Sequence, residues 1–192
     1  VAEAKLSGDA FPKDQEEFTL DFLGLVAFND PPKANIAAVL QQFYAAGIQV
    51  KIITGDNALT TVAIARQTGF HGADRTMNGD DMMKLDDAAL RKAVQDTNIF
   101  TRMFPDAKLR IINALQAEGH VVAMTGDGVN DGPALKAAHI GIAMGKRGSE
   151  LAKEAASLIL VNDDLGKMVD AVAMGRKIYG NLKKAIQYII SI

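Results

Sequence analysis

The chain has 192 residues, 48% of them hydrophobic and 23% charged, which are ordinary values for a globular protein large enough for one sizeable domain with an appendage. Its formal net charge of −2 offers no basic surface for nucleic acid, so nucleic acid is excluded as an expected partner. The lack of cysteine excludes a disulfide framework and a thiolate metal site. The polar start, Val1–Lys13, does not indicate a signal peptide, and the apolar end, Ala185–Ile192, is too short for a bilayer span.

Short apolar segments alternate with amphipathic ones along most of the chain. Thr19–Phe28 is apolar enough for a strand, which Asn29-Asp30-Pro31-Pro32 ends because proline cannot continue a ladder. Further strands are predicted at Gln49–Ile53, Ile99–Thr101, Val121–Met124, Ile140–Ala143 and Leu158–Val161. Helices are predicted near 34–46, 58–68 and 105–118, after a cap at Asn130 or Asp131, from 150, and from 164 to the end. This alternation predicts an α/β protein with a Rossmann-like parallel sheet and flanking helices.

The segment His71–Asn98 is less regular than the rest. It contains short helical patterns and a cluster of acids, which are Asp80, Asp81, Asp86 and Asp87. We interpret it as a surface insertion whose charges are solvated.

The most informative stretch is VVAMTGDGVNDGPALKAAHIGIAMG, residues 121–145. A buried strand leads into a loop that holds Asp127 and Asp131, and a helix with Pro133 in its first turn follows. Ligands of parallel α/β sheets bind beyond the carboxyl ends of the strands, and carboxylates there suit Mg²⁺. The simpler interpretation is that the two aspartates are a turn residue and a helix cap.

Other segments carry groups that suit a phosphate. Thr54 and Gly55 offer a hydroxyl and a free N–H at a predicted helix start. Lys108, in the first turn after Pro105, can reach a phosphate, and Asn130 can donate a hydrogen bond to one. These groups together favour phosphoryl transfer, which requires positioning and charge neutralisation.

These motifs resemble those of the P-type cation-transporting ATPases, within the haloacid dehalogenase superfamily. Asp30-Pro31-Pro32-Lys33 resembles the hinge between the nucleotide-binding and phosphorylation domains, with lysine where arginine is usual. Thr54-Gly55-Asp56 resembles the motif that contacts the phosphoryl group, and Arg102 matches an arginine that reaches the nucleotide. Lys108 matches the lysine of the third motif. Asp127, Asn130 and Asp131 match the fourth motif, and the resemblance places Asp127 and Asp131 at the Mg²⁺.

The resemblance implies an organisation and a set of partners. Residues 1–29 would end the nucleotide-binding domain, 30–164 would form the phosphorylation domain with 71–98 as its insertion, and 165–192 would form a stalk helix towards the membrane. ATP is then the substrate, Mg²⁺ the cofactor and a cation the cargo, in the cytoplasmic domain of an integral membrane protein. The pattern is closest to the calcium and sodium/potassium pumps, and the cation itself is not specified.

The chain departs from this family in one respect, because it contains no Asp-Lys-Thr-Gly sequence, whose aspartate is the family's nucleophile. We therefore expect a segment of a longer protein that forms no phosphoenzyme alone. The resemblance places the nucleophile's strand between the strands that end at Thr54 and Thr125, so we expect a gap in the sheet. Thr19–Phe28 could fill that gap or pair with a second copy of the chain.

Two other functions are compatible with parts of the sequence. A phosphatase of the same superfamily would share the fold, but the hinge and the stalk-like tail argue against it. A non-catalytic module would have no need to retain Lys108, Asp127 and Asp131.

Overall fold

The computed structural model describes residues 1–5, 13–26 and 31–191, in two units, Val1–Pro32 and Lys33–Ile192. In the first unit, β1 (Ala2–Glu3) pairs antiparallel with β2 (Asp21–Phe22). Of the strand predicted at Thr19–Phe28, only Asp21 and Phe22 are in a strand within the described residues. This strand forms a two-stranded sheet with β1. Residues 27 and 28, and Asp30 of the predicted hinge, lie outside the described residues.

The second unit alternates strands and helices as the sequence predicts. Its elements are α1 (Ile36–Ala45), β3 (Ile52–Ile53), α2 (Ala58–Gln67), β4 (Thr76–Asn78), α3 (Gly79–Met83), α4 (Asp87–Asp96), β5 (Ile99–Thr101), α5 (Pro105–Ala117), β6 (Ala123–Gly126), α6 (Gly132–Ala137), β7 (Ile140–Met144), α7 (Glu150–Ala155), β8 (Leu158–Leu160) and α8 (Gly166–Ile190).

Every strand pair in this unit is parallel. The strands form two groups among the described residues, in the orders β3-β5-β4 and β6-β7-β8. Ile53 lies opposite Phe100 in the first group, and Thr125 lies opposite Ile142 in the second. The α/β class with parallel strands flanked by helices is confirmed. Within the described part of the chain, β3 and β6 each pair on one side only.

Two hydrophobic clusters stabilise the second unit. The larger one joins helices α3 to α7 to the strands, and Phe100, Ile111 and Ala143 are fully buried in it. The smaller cluster joins α1 and α2 to β5 through Leu40, Ala65, Phe70, Ala73 and Ile99. Because helices cover parallel strands in both clusters, the strands are held with their carboxyl ends at one edge.

Local signals in the sequence explain several helix boundaries. The side chain of Asn57 accepts a hydrogen bond from the Thr60 N–H (3.0 Å) at the start of α2, and Ser149 accepts one from Ala152 (3.2 Å) at the start of α7. Gly69, with φ of +70°, follows the end of α2 in the left-handed conformation that glycine adopts without strain.

The segment predicted as a surface insertion, residues 71–98, takes part in both the sheet and the core. This segment contributes β4, which pairs with β5, and it buries Met82, Leu90 and Val94 in the larger cluster. The four acids of the segment are exposed, as expected. Charged residues are frequent in the sequence of this segment, so its apolar residues at helical spacing give a weak pattern, although they make the core contacts.

The last helix, α8, contains no buried residue among those described. It contacts α1 where Arg176 Nη1 donates to the carbonyl of Ala46 (2.7 Å). Asp164 accepts a hydrogen bond from the Gly166 N–H (2.9 Å), close to its predicted capping role. The second half of this helix carries exposed apolar side chains, which are Ile178, Leu182, Ile186 and Ile189.

Gly141 in β7 allows close contact between the strand and α6. A Cβ at this position would overlap the carbonyl oxygen of Leu135. We expect Gly141→Ala to lower the free energy of unfolding by about 1–3 kcal/mol, as overpacking does. Urea denaturation followed by circular dichroism measures this change.

Gly175→Ala in α8 is the matched control, because a Cβ at that position would meet no other heavy atom within 4 Å and alanine favours a helix. That variant should be as stable as the parent chain or more stable. Equal effects of the two substitutions would contradict the close packing of β7 on α6.

Candidate functional site

A cleft of about 250 Å³ lies where β3 and β6 end. The residues that directly follow the two strands lie together in this cleft, at the carboxyl ends where parallel strands commonly bind ligands. The cleft is lined by the ends of β3, β6 and β7, by the loops after β3 and β6, and by α5. The lining residues are Ile53, Thr54, Gly55, Lys108, Met124, Thr125, Gly126, Asp127, Asp131 and Met144.

The most constrained polar group of the cleft is the carboxylate of Asp131. One oxygen accepts a hydrogen bond from Lys108 Nζ at 2.6 Å, and the two side chains are only 10% and 14% exposed. The other oxygen accepts the N–H groups of Asp127 (3.3 Å) and Gly128 (3.1 Å). Asp131 therefore joins the β6 loop to α5 through a partly buried ion pair.

The position of Asp131 depends on the absence of a side chain at Gly126. A Cβ there would lie 2.6 Å from the Cβ and 2.8 Å from the Cγ of Asp131. Asp131 occupies the N-cap position of α6, but its side chain makes no capping hydrogen bond to that helix. The first glycine of the Gly-Asp-Gly sequence is thus explained by packing of the loop around this carboxylate.

Asp127 differs from Asp131 in its surroundings. Its side chain is 48% exposed and faces the guanidinium of Arg147, with 3.6 Å between Oδ2 and Nη2. Its carbonyl oxygen accepts the N–H of Ser149 (2.8 Å), which ties it to the loop after β7. The Asp127 carboxylate is therefore the more accessible oxygen donor at this edge of the cleft.

The Thr54-Gly55-Asp56 turn is held by the loop that follows β5. The N–H of Met103 donates to the Thr54 carbonyl and the N–H of Arg102 donates to the Asp56 carbonyl, both at 2.9 Å. Arg102 has a left-handed φ of 52°, an uncommon conformation for a residue with a side chain. The Thr54 hydroxyl accepts the N–H of Asp56 (3.1 Å), which fixes the turn.

The cleft brings together most of the residues that the sequence indicates. Thr54, Gly55, Lys108, Asp127 and Asp131 line it. The other three, Asp56, Arg102 and Asn130, are exposed and do not line it.

Sequence reasoning missed Arg147. The signal was available, because Arg147 lies just beyond the carboxyl end of β7, in the position that parallel sheets use for ligand loops.

The oxygen donors of the cleft fit a hard cation only in part. Among the described residues, no three His, Cys, Asp or Glu side chains are grouped so that they could hold a metal ion. Mg²⁺ commonly uses one or two carboxylates and completes its shell with waters and substrate phosphate. Asp127 fits this role directly, whereas both oxygens of Asp131 already accept hydrogen bonds from the protein.

Among the described residues, no helix is both long enough and apolar enough to cross a bilayer.

Comparisons with known proteins agree with this fold. A family model described as haloacid dehalogenase-like hydrolase matches residues 3–139. The cation-transporting ATPase pma1 of Synechocystis is 44% identical over 92% of this chain and 20% of its own length. The human calcium-transporting ATPase type 2C member 1 is 42% identical over 90% of this chain and 19% of its own length.

A solved structure of a zinc-transporting PIB-type ATPase in the E2.Pi state is similar to 81% of this chain and 21% of that one, with a TM-score of 0.63 and 28% identity. The chain spans about a fifth of the length of the relatives it matches. It belongs to the haloacid dehalogenase-like hydrolase family, and it is homologous over most of its length to a part of the cation-transporting ATPases.

Proposed function

We propose that this chain is the phosphoryl-transfer segment of an ATP-driven P-type cation pump and lies on the cytoplasmic side of the membrane. One observation carries the proposal: Thr54, Lys108 and Asp127, from three separate elements, line a single cleft at the carboxyl ends of β3 and β6. The similarity to cation-transporting ATPases over 90% or more of the chain supports it. ATP is the proposed substrate and a cation the proposed cargo.

Each residue has a proposed role in the transfer. Thr54 and the N–H of Gly55 orient the phosphoryl group, and Lys108 provides positive charge. Asp127 holds Mg²⁺, while Asp131 keeps Lys108 and the loop in place. Bound Mg²⁺ would neutralise charge on the phosphoryl oxygens during the transfer.

Asp56, Arg102 and Asn130 have roles at the edge of the cleft in this proposal. Arg102 would reach the nucleotide with Asp56 beside it, and Asn130 would donate to a phosphate oxygen. Their exposure in the described structure leaves these side chains accessible to a ligand.

The nucleophile comes from outside these 192 residues in this proposal, since no Asp-Lys-Thr-Gly sequence occurs in them. The separation of β3 and β6 into different strand groups supports this, because each leaves one edge without a partner among the described residues. The N–H groups of Ile52 and Thr54 donate to the carbonyls of Asn98 and Phe100, on the side of β5. Because successive N–H groups of a strand point to opposite sides, the N–H of Ile53 points away from β5. A strand inserted between β3 and β6 would place its carboxyl end at the cleft.

Helix α8 is the proposed connection to the membrane part of the pump. Its exposed apolar second half and its lysines, Lys183 and Lys184, suit a position near the bilayer.

The first test is the phosphoenzyme of the intact parent protein. Asp127→Asn should lower the acid-stable, hydroxylamine-sensitive label from ATP and Mg²⁺ by roughly 10²-fold or more, because an amide holds the cation poorly. Asp80→Asn, at an exposed aspartate of α3 that does not line the cleft, is the control and should label normally. Normal labelling of Asp127→Asn would refute the proposal.

The second test concerns the missing strand. A peptide of the parent that contains Asp-Lys-Thr-Gly and the strand before it should raise the Tm of this chain and slow hydrogen exchange at Ile53 and in β6. The same peptide with two prolines in its strand should do neither, because proline removes ladder donors. Protection confined to other elements would contradict insertion between β3 and β6.

A further inference from the structure

The loop between β7 and α7, residues 145–149, is fixed by a hydrogen bond from the backbone N–H of each of its residues. The N–H of Gly145 donates to the Leu160 carbonyl (2.9 Å), and that of Gly148 donates to Met144 (3.1 Å). The N–H of Ser149 donates to the carbonyl of Asp127 (2.8 Å). The loop is therefore attached both to its own strand and to the loop that carries Asp127.

Asp163 holds the centre of this loop. One carboxylate oxygen accepts the N–H of Lys146 (3.0 Å) and the other accepts the N–H of Arg147 (3.1 Å). Asp163 is 5% exposed and has a left-handed φ of 55°, and its carbonyl accepts Lys33 Nζ at 2.6 Å. The hydrogen bonds from the loop lower the pKa of Asp163, so it stays ionised at neutral pH.

Close packing around the loop restricts its backbone to one conformation. A Cβ at Gly145 would lie 2.7 Å from the Cα of Val161, and one at Gly148 would overlap the Met144 carbonyl. The backbone of Arg147 thus has a defined position, from which its guanidinium reaches to 3.6 Å from the Asp127 carboxylate. Arg147 and Asp163 both lie beyond the segment that the family model matches.

We propose that Arg147 pairs with Asp127 when no divalent cation is bound and competes with the cation for that carboxylate, and that Asp163 is the positioning residue that makes this pairing possible. The inference rests on the proposed role of Asp127 as a cation ligand. Two positive charges cannot share one carboxylate without repulsion, so a cation that binds Asp127 displaces the guanidinium. Arg147 thereby sets the cation concentration at which the site fills.

The test is direct Mn²⁺ binding to the full chain, measured from the electron paramagnetic resonance signal of free Mn²⁺ and repeated with Mg²⁺ as competitor. Arg147→Gln should lower the Kd for Mn²⁺ about two- to five-fold, the range expected from loss of an exposed ion pair. Arg147→Lys should retain part of the competition and give a smaller change.

Lys146→Gln is the matched control, since it removes the same charge one residue away and Lys146 makes no ion pair among the described residues. A smaller change in this variant than in Arg147→Gln supports the proposal. Equal changes in the two would overturn it, because they would reflect only the net charge of the loop.

Asp163→Asn tests the positioning role. It should lower the Kd in the wild-type background and have no further effect in the Arg147→Gln background, since Asp163 acts through Arg147. Equal effects in both backgrounds would show a general structural role and overturn this part. Urea denaturation of each variant verifies that the chain is folded.

The outcomes also separate this inference from the proposed function. Mn²⁺ binding by the wild-type chain with an unchanged Kd in Arg147→Gln would overturn the inference alone. Binding that is absent from the wild type, or that is unaffected by Asp127→Asn, would overturn the role of Asp127 and the inference with it.

Discussion

The geometry of the site depends on the carboxylate of Asp131. It is nearly buried, and an ionised group in such a place requires charged and hydrogen-bonding partners. Lys108 and two backbone N–H groups supply them, and together they bring α5 and the β6 loop to fixed positions. Gly126 is part of the same arrangement because any side chain there would overlap Asp131.

This arrangement leaves the two aspartates of the loop with different chemical roles. Asp131 has its oxygens occupied by the protein, whereas Asp127 is half-exposed and faces the guanidinium of Arg147, which is itself exposed. A buried, satisfied carboxylate gives rigidity, and an exposed one can exchange partners at low cost. Asp131 therefore fixes the loop, and Asp127 is available to bind a cation.

The parallel strands decide which loops meet. Parallel pairing within β3-β5-β4 and within β6-β7-β8 points the strands of each group the same way, and the cleft joins the ends of β3, β6 and β7, although Ile53 and Met144 are far apart along the chain. The same order leaves β3 and β6 unpaired on one side in the described residues. The cleft lies between these two strands, so the site and the open sheet edges are one feature.

The alternation of apolar and amphipathic segments by itself determined the α/β class, and the short motifs around Thr54, Lys108 and Asp127 indicated five of the residues that line the cleft, because these signals are local. The role of residues 71–98 in the core was not readable, since their acids obscured Met82, Leu90 and Val94. Only the tertiary structure decided that Asp131 pairs with Lys108 and that Asp163 directs Arg147 towards Asp127. Such contacts join residues 16 or more apart in sequence, and strand order and packing, which no local pattern encodes, bring them together.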